Sequence, residues 1–154
     1  MSGRIDAKLK ELRIVLPPAG KPFAAFQHVV VANGLAFVAG QPPIDGDARP
    51  YLGRLGAELT TEQGQAAARL SALNVVAQMR AALDGDLDRV VRVVKLGVFV
   101  NSAPDFKGQP MVANGASELM VQIWGEAGRH ARFAVGTIGP MDFACSVEAV
   151  FQVA

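Results

Sequence analysis

The pattern that most constrains the fold lies near the end of the chain, between Phe143 and Val153. A set of apolar positions alternates there with a set of mixed polarity over the whole segment. The continuously apolar set is Cys145, Val147, Ala149, Phe151 and Val153. The mixed set is Ala144, Ser146, Glu148, Val150 and Gln152. Because successive side chains of a strand point to opposite faces, this alternation predicts a strand with one face against a helical layer. The other face then meets water or another subunit.

Short β-favouring and helical patterns precede this strand. Arg4 to Leu12 carries apolar residues at helical spacing and predicts an N-terminal helix, followed by a proline-rich connector up to residue 22. Phe26 to Val31 and Leu35 to Gly40 predict a hairpin, because Asn33-Gly34 supplies the pair of positive φ angles that a tight turn needs.

Two longer helices are predicted further along. Thr60 and Gln63 form a capping-box pattern at the start of the first helix. Its predicted apolar face is Ala66, Leu70, Leu73, Ala77 and Leu83. Met111 to Glu126 predicts the second helix, with Leu119, Ile123 and Trp124 on its apolar side. Val90 to Val100, between these helices, predicts a buried strand, with a bulge near Gly97 that restores its alternation of apolar and polar positions. Ala131 to Ile138 predicts another strand.

The resulting order is β-β-α-β-α-β-β after an N-terminal helix. Two helices cover one small sheet most economically from a single face, which predicts an α+β fold in one domain spanning residues 1–154. Apolar residues make up 51% of the chain and charged residues 19%, which excludes a disordered chain.

The charge and cysteine content narrow the functional classes. A net charge of +1 gives no broad attraction to nucleic acid or to an anionic membrane. Cys145 is the single cysteine, so no intrachain disulfide forms and a reducing, cytoplasmic location is expected. No apolar run approaches the roughly 20 residues of a membrane span.

The usual catalytic motifs are missing. The glycines are scattered rather than arranged as a phosphate-binding loop, and His28 and His130 have no acidic residue at ligand spacing, so both are interpreted as packing or surface residues. Arg132 lies at the start of a strand, where its guanidinium can reach a cleft and bind a carboxylate. Taken alone, a strand-end arginine is more often a solvated residue or a member of a structural ion pair, for which Glu148 on the adjacent strand is the candidate partner.

Four segments together resemble the Rid (YjgF) family in the correct order. Leu35 to Pro43 is similar to its "(I/F)-x-(S/A)-G-Q-x-P" strand, and Arg89 to Leu96 to its "D-V-V-K" strand. His130-Ala131-Arg132 is similar to "P-A-R", and Ser146 to Ala149 to "E-x-E-A". The run from Gly115 and the turn before Arg132 resemble a longer bacterial branch often labelled endoribonuclease L-PSP-like.

This resemblance implies a chorismate-mutase-like fold (bacillus type) in a homotrimer, with the sheets packed into a central barrel and clefts between subunits. It implies hydrolysis of reactive enamine or imine intermediates of small amino acids to 2-oxo acids and ammonia, a form of metabolite damage control, without a metal or organic cofactor. Arg132 would clamp the substrate carboxylate. Gly40 would contact the substrate through its backbone, and Asn114 matches a cleft asparagine.

Several cleft positions depart from the family pattern. Phe26 replaces a tyrosine, and Phe133 and Ala134 replace a serine and a cysteine after the arginine. Ser146 stands where the first acid positions water, while Glu148 keeps the second acid. Since serine is a poor proton acceptor, a trimer that binds a small carboxylate without turnover is the second hypothesis. An endoribonuclease is a distant third, because paired histidines and a basic groove are missing.

Overall fold

The computed structural model describes residues 3–154 and consists of one mixed sheet with helices on a single face. The helices and strands in chain order are α1 (Arg4–Glu11), β1 (Val29–Ala32), β2 (Leu35–Gln41), α2 (Thr61–Ala82), β3 (Val90–Asn101), α3 (Gln109–Trp124), β4 (Ala131–Thr137) and β5 (Cys145–Val153). Short 3₁₀ turns follow α2, α3 and β4 at Leu87–Arg89, Gly125–Gly128 and Pro140–Asp142. The predicted α+β order is confirmed.

The sheet has the spatial order β1-β2-β5-β3-β4. Only β3 and β4 pair in parallel, which places the crossover helix α3 against them, and the other pairs are antiparallel. The predicted hairpin turn is confirmed, with φ of 50° at Asn33 and 74° at Gly34. Its first strand begins at Val29 rather than at Phe26, because Phe26 and His28 stack edge to face in the preceding loop.

The prediction of a bulge near Gly97 was wrong. The pairing of β3 with β5 shifts earlier, between Val90 and Arg92 and again between Val93 and Lys95. Each shift lets two consecutive residues face away from the helices, so Val90 and Val93 are both buried. Gly97 lies in regular register with Glu148, and it is a glycine because a side chain there would collide with the Phe133 ring.

The capping box at the start of α2 is confirmed. The Gln63 amide donates to Thr60 Oγ1 at 3.2 Å, and the Thr60 amide donates to Gln63 Oε1 at 2.9 Å. The predicted apolar face of this helix was wrong in part, since Leu70 and Leu73 are only partly buried. The fully buried apolar positions are Ala67, Ala68, Ala72, Val75, Val76 and Met79. Small residues occupy this face because α2 packs against both the sheet and α3.

The N-terminal helix α1 is confirmed and packs onto the same helical layer. Ile5 and Leu9 join the core. The Asp88 carboxylate accepts hydrogen bonds from the backbone amides of Arg4 and Ile5, both at 2.7 Å, and thereby caps α1. These hydrogen bonds lower the pKa of Asp88.

The second long helix and the final strand differ slightly from prediction at their ends. The second long helix begins at Gln109 and ends at Trp124, because Gly125 has a φ of 60° and starts the 3₁₀ turn. The final strand begins at Cys145, and its predicted alternation is confirmed: Cys145, Val147, Ala149, Phe151 and Val153 are buried. Within residues 3–154, no helix is both long and apolar enough to cross a bilayer.

The sheet face opposite the helices is uncovered in a single protomer, and we call it the open face. It carries Ser146 and Glu148 of β5 together with the residues paired with them. Large apolar side chains on it are 38–51% exposed: Val30, Phe37, Phe99 and Val135.

Candidate functional site

Arg132 is held by α3 at the edge of the sheet. β4 is an edge strand, and Arg132 is in register with the buried Leu96, so its side chain leaves the sheet on the helix side. Its Nη1 donates to Asn114 Oδ1 at 2.9 Å and to Ser117 Oγ at 3.1 Å. Its Nη2 donates to the Pro110 carbonyl at 3.3 Å. The predicted site residues Arg132 and Asn114 are therefore in direct contact.

These contacts leave part of the guanidinium unused. A guanidinium has five N–H donors, and those on Nη1 and one on Nη2 are taken. Nε–H and the second Nη2–H have no partner among residues 3–154, and no carboxylate of the described chain pairs with Arg132. Two N–H groups on adjacent nitrogens match the bidentate geometry of a carboxylate ligand. The alternative of an ion pair with Glu148 is wrong, because Glu148 lies on the open face.

His130 extends this arrangement. Its Nε2 lies 2.9 Å from Ser117 Oγ, and its Nδ1 lies 2.7 Å from the Gly128 carbonyl oxygen. We call Arg132, Asn114, Ser117 and His130 the clamp network. Partial burial lowers the pKa of His130, and the charge of Arg132 lowers it further, against the opposing effect of the Gly128 carbonyl. His130 is therefore neutral at physiological pH.

The dependence of this pKa on Arg132 is testable. We expect His130 in the wild-type protein to titrate below the ordinary value of 6.5, and the Arg132→Ala change to raise its pKa because a nearby positive charge is lost. As the pH falls below 6.5, the unfolded chain takes up this proton first, so folding loses stability until the lower folded pKa is passed. NMR titration of the His130 ring measures the shift. Arg129→Ala is the matched control, since Arg129 pairs with Glu126, and an equal shift there would refute the assignment.

Glu148 and Phe133 occupy the middle of the open face. Both lie over Gly97, where a Cβ would approach the Phe133 ring to 2.5 Å and Glu148 Cγ to 2.8 Å. The Phe133 ring also stacks edge to face on Phe99 at 5.2 Å, and Phe99 is in register with Ser146. Ser146 and Glu148 are therefore neighbours on one face, about 7 Å apart along the strand.

A cavity of about 450 Å³ lies beside Ser146 at one end of the open face. We call it the apolar cavity. It brings together three predicted site residues, Phe26, Gly40 and Ser146. Gly40 faces Ser146 so closely that a Cβ at Gly40 would lie 2.6 Å from Ser146 Oγ. The further lining residues are mainly apolar, among them Phe23, Ile44, Phe99, Met141 and Phe143.

The polar residues of the apolar cavity other than Ser146 were not predicted as site residues. Arg49, in the loop that follows β2, lines the cavity and stacks over Phe143 at 5.9 Å from the ring centre. Gln41 Nε2 donates to His28 Nδ1 at 3.2 Å. Cys145 also borders the cavity, but burial raises the pKa of its thiol to about 12, so it stays protonated as the packing residue that was predicted.

The predicted site residues thus form two groups on opposite sides of the sheet. Arg132 and Asn114 lie with α3, whereas Phe26, Gly40, Phe133, Ser146 and Glu148 lie on the open face or in the apolar cavity. Sequence reasoning missed Ser117 and interpreted His130 as a packing residue. The spacing of Asn114 and Ser117, three residues apart on one helix face, was the available signal. No group of three metal-binding side chains occurs within the part of the chain that the structure describes.

Comparison with known proteins places this arrangement in a family. The model described as YjgF/chorismate mutase-like, putative endoribonuclease matches residues 8–152. Protein TCP17 of Trypanosoma cruzi is 51% identical over 148 residues, which cover 96% of this chain and 91% of that protein.

Two solved structures share the fold. The protein Atu1372 of Agrobacterium tumefaciens, of unknown function, is 38% identical with a TM-score of 0.89, over 97% of this chain and 93% of that one. E. coli TdcF, solved with bound serine, is 20% identical with a TM-score of 0.61, over 88% and 94% of the two chains. The chain therefore belongs to the YjgF/chorismate mutase-like family, the Rid family that its motifs resemble.

Proposed function

We propose that this protein hydrolyses reactive enamine and imine intermediates of small amino acids to 2-oxo acids and ammonia. The observation that carries the proposal is the state of Arg132. Its guanidinium is exposed, held by three hydrogen bonds to α3, and retains two adjacent N–H donors without a carboxylate partner among residues 3–154. Every proposed substrate carries a carboxylate beside the reacting carbon. The serine in the TdcF structure belongs to the class of molecule from which such substrates derive.

The reaction needs little machinery beyond this clamp. Water adds to the imine carbon to give a carbinolamine, and cleavage of the carbon–nitrogen bond then releases ammonia and the 2-oxo acid. Arg132 holds the carboxylate and fixes the reacting carbon. Ser146 and Glu148, side by side on the open face, would hold the water. Glu148 is exposed and can accept a proton, which the Ser146 hydroxyl does poorly.

Arg132 and the apolar cavity come together in the proposed mechanism only when subunits assemble. In one protomer they lie on opposite sides of the sheet, so a neighbouring subunit has to supply one of the two. We infer a homotrimer whose open faces pack inwards, with Arg132 of one subunit beside the apolar cavity of the next. The exposed Val30, Phe37, Phe99 and Val135 support this inference, because an apolar patch of this kind is typical of an interface.

The lining of the apolar cavity predicts which substrates are preferred. Its described lining residues include Arg49 but no acid and no lysine, and most of them are apolar. We expect catalytic efficiency (kcat/KM) to rise by about fourfold for each methylene group added to the substrate side chain, from 2-aminoacrylate to the imines of larger apolar amino acids.

The test is ammonia and 2-oxo acid release from these imines generated in situ, compared with spontaneous hydrolysis. The imine of arginine, with a cationic side chain that Arg49 repels, is the matched control and should be a poor substrate. If the well-folded protein accelerates none of them, the proposed hydrolysis is wrong. If it accelerates the imine of arginine as well as the apolar imines, the cavity does not bind the side chain.

A second candidate function, carboxylate binding without turnover, is favoured by one observation. The lining of the apolar cavity includes no carboxylate, and Ser146 stands at its edge where the family places an acid. Calorimetric binding of a 2-oxo acid that depends on Arg132, without any acceleration of imine hydrolysis, would establish this function instead. An endoribonuclease gains no support, because His28 lines the cavity while His130 belongs to the clamp network.

A further inference from the structure

The hydrogen bonds of the clamp network have only one consistent direction. The Gly128 carbonyl can only accept, so His130 Nδ1 carries the hydrogen and donates at 2.7 Å. In a neutral imidazole the other nitrogen then accepts, and Ser117 Oγ donates to His130 Nε2 at 2.9 Å. The Ser117 oxygen is left with its lone pairs, and one of them accepts from Arg132 Nη1 at 3.1 Å.

The direction of these hydrogen bonds matters because a serine hydroxyl alone can act as a donor or as an acceptor towards its neighbours. A hydroxyl rotates freely and can turn its hydrogen towards an arginine N–H, which would repel it. A neutral His130 accepts the hydrogen of the Ser117 hydroxyl, so the Ser117 oxygen presents a lone pair to Arg132. The lowered pKa of His130 agrees with a neutral ring.

The geometry points to Ser117 and His130 as positioning residues that hold the Arg132 guanidinium ready for a carboxylate. This inference rests on the proposed function, since it assigns roles within the same clamp. An arginine side chain has many rotamers, and those lost on binding reduce affinity. Fixing Nη1 beforehand, with Asn114 on its other hydrogen, leaves Nε–H and one Nη2–H presented together. Neither Ser117 nor His130 touches the substrate in this arrangement.

The decisive experiment measures binding of 2-oxobutanoate, a carboxylate that is not turned over, by calorimetry. We expect Ser117→Ala to weaken binding roughly five- to tenfold, because one hydrogen bond to the guanidinium is lost. Ser117→Thr keeps the hydroxyl and should restore binding to within about twofold. His130→Phe, which keeps a ring without its nitrogens, should weaken binding by roughly threefold. Glu118→Ala, the exposed neighbour on α3, is the matched control and should bind like the wild type.

Two further readouts separate positioning from a general structural role. In an Arg132→Ala background, Ser117→Ala should have no additional effect on binding, because Ser117 acts only through Arg132. In imine hydrolysis, Ser117→Ala should raise KM while kcat stays within about twofold, as expected for a group that supports carboxylate binding throughout the reaction. The ¹⁵N spectrum of His130 should show hydrogen on Nδ1, and hydrogen on Nε2 would overturn the assigned direction.

The remaining outcomes distinguish the positioning roles of Ser117 and His130 from the carboxylate clamp of Arg132 itself. Wild-type binding by Ser117→Ala, with binding lost in Arg132→Ala, would overturn the positioning roles and leave the clamp in place. An additive effect of Ser117→Ala in the Arg132→Ala background would also overturn them. Wild-type binding by Arg132→Ala, or no carboxylate binding by the wild-type protein, would overturn the clamp and the positioning roles together.

Discussion

Replacing Arg132 by alanine should lower kcat/KM for imine hydrolysis by a factor on the order of 10²–10³. The change removes two charge-assisted hydrogen bonds to the substrate carboxylate, each contributing about 1.5–3 kcal/mol, and some of this loss is recovered by water. The kcat/KM of Arg132→Lys should fall between those of the wild type and Arg132→Ala, because lysine keeps the charge and loses the planar fork. The measurement is initial-rate ammonia release over a range of substrate concentrations.

The fold should survive this change. Arg132 is exposed and takes no part in the core, so its loss should alter the free energy of unfolding by no more than about 1 kcal/mol. Arg129→Ala serves as the matched control, since Arg129 is exposed three residues earlier and pairs with Glu126. Arg132→Ala activity within twofold of wild type would refute the clamp. Unfolding of the variant would assign Arg132 a structural role.

Gly115→Ala should be strongly destabilising, lowering the free energy of unfolding by about 3 kcal/mol. An added Cβ would collide with the backbone carbonyl of Gln65, where α3 crosses α2. Helical backbone cannot rotate away as a side chain can, so the helices have to separate, at a cost near the upper end for overpacking. The better helix propensity of alanine offsets about 1 kcal/mol of a larger gross cost.

Thermal and urea unfolding measure this loss, and the melting temperature should fall by roughly 10 °C. Gly20→Ala is the matched control, because open space surrounds the position of its added Cβ. A Gly115→Ala protein as stable as wild type would show that α2 and α3 tolerate a wider spacing. Since Asn114 and Ser117 flank Gly115 on α3, the folded variant should also bind carboxylates more weakly.

The secondary structure was largely predictable because local chemistry specifies it. The capping box at Thr60, the Asn33-Gly34 turn and the alternation along β5 each depend on a few adjacent residues. The face of α2 was predicted in part wrongly for a physical reason. Leucines usually indicate the core side, but here Gly115 brings α3 so close that alanines and valines fill the contact, and Leu70 and Leu73 move to its margin.

The candidate site was likewise predicted only in part from the sequence. Arg132 stood out in the sequence as a strand-end arginine within a family motif, and the structure adds its contact with Asn114. The sequence left open whether Glu148 neutralises it, because faces of different strands are related only through register. Pairing of Leu96 with Arg132 and of Gly97 with Glu148 puts the two side chains on opposite sides of the sheet.

The sequence by itself determined the elements, their order and the burial pattern of β5, because these follow from turn chemistry, capping and period-two alternation between near neighbours. Only the tertiary structure decided the position of the β3 bulges, the packing face of α2 and the partners of Arg132. Those depend on contacts between residues far apart in the chain, such as Ser117 with His130 and Arg132, or Gln65 with Gly115. Such contacts leave no periodic trace in the sequence, since each is fixed by packing of whole elements rather than by local preference.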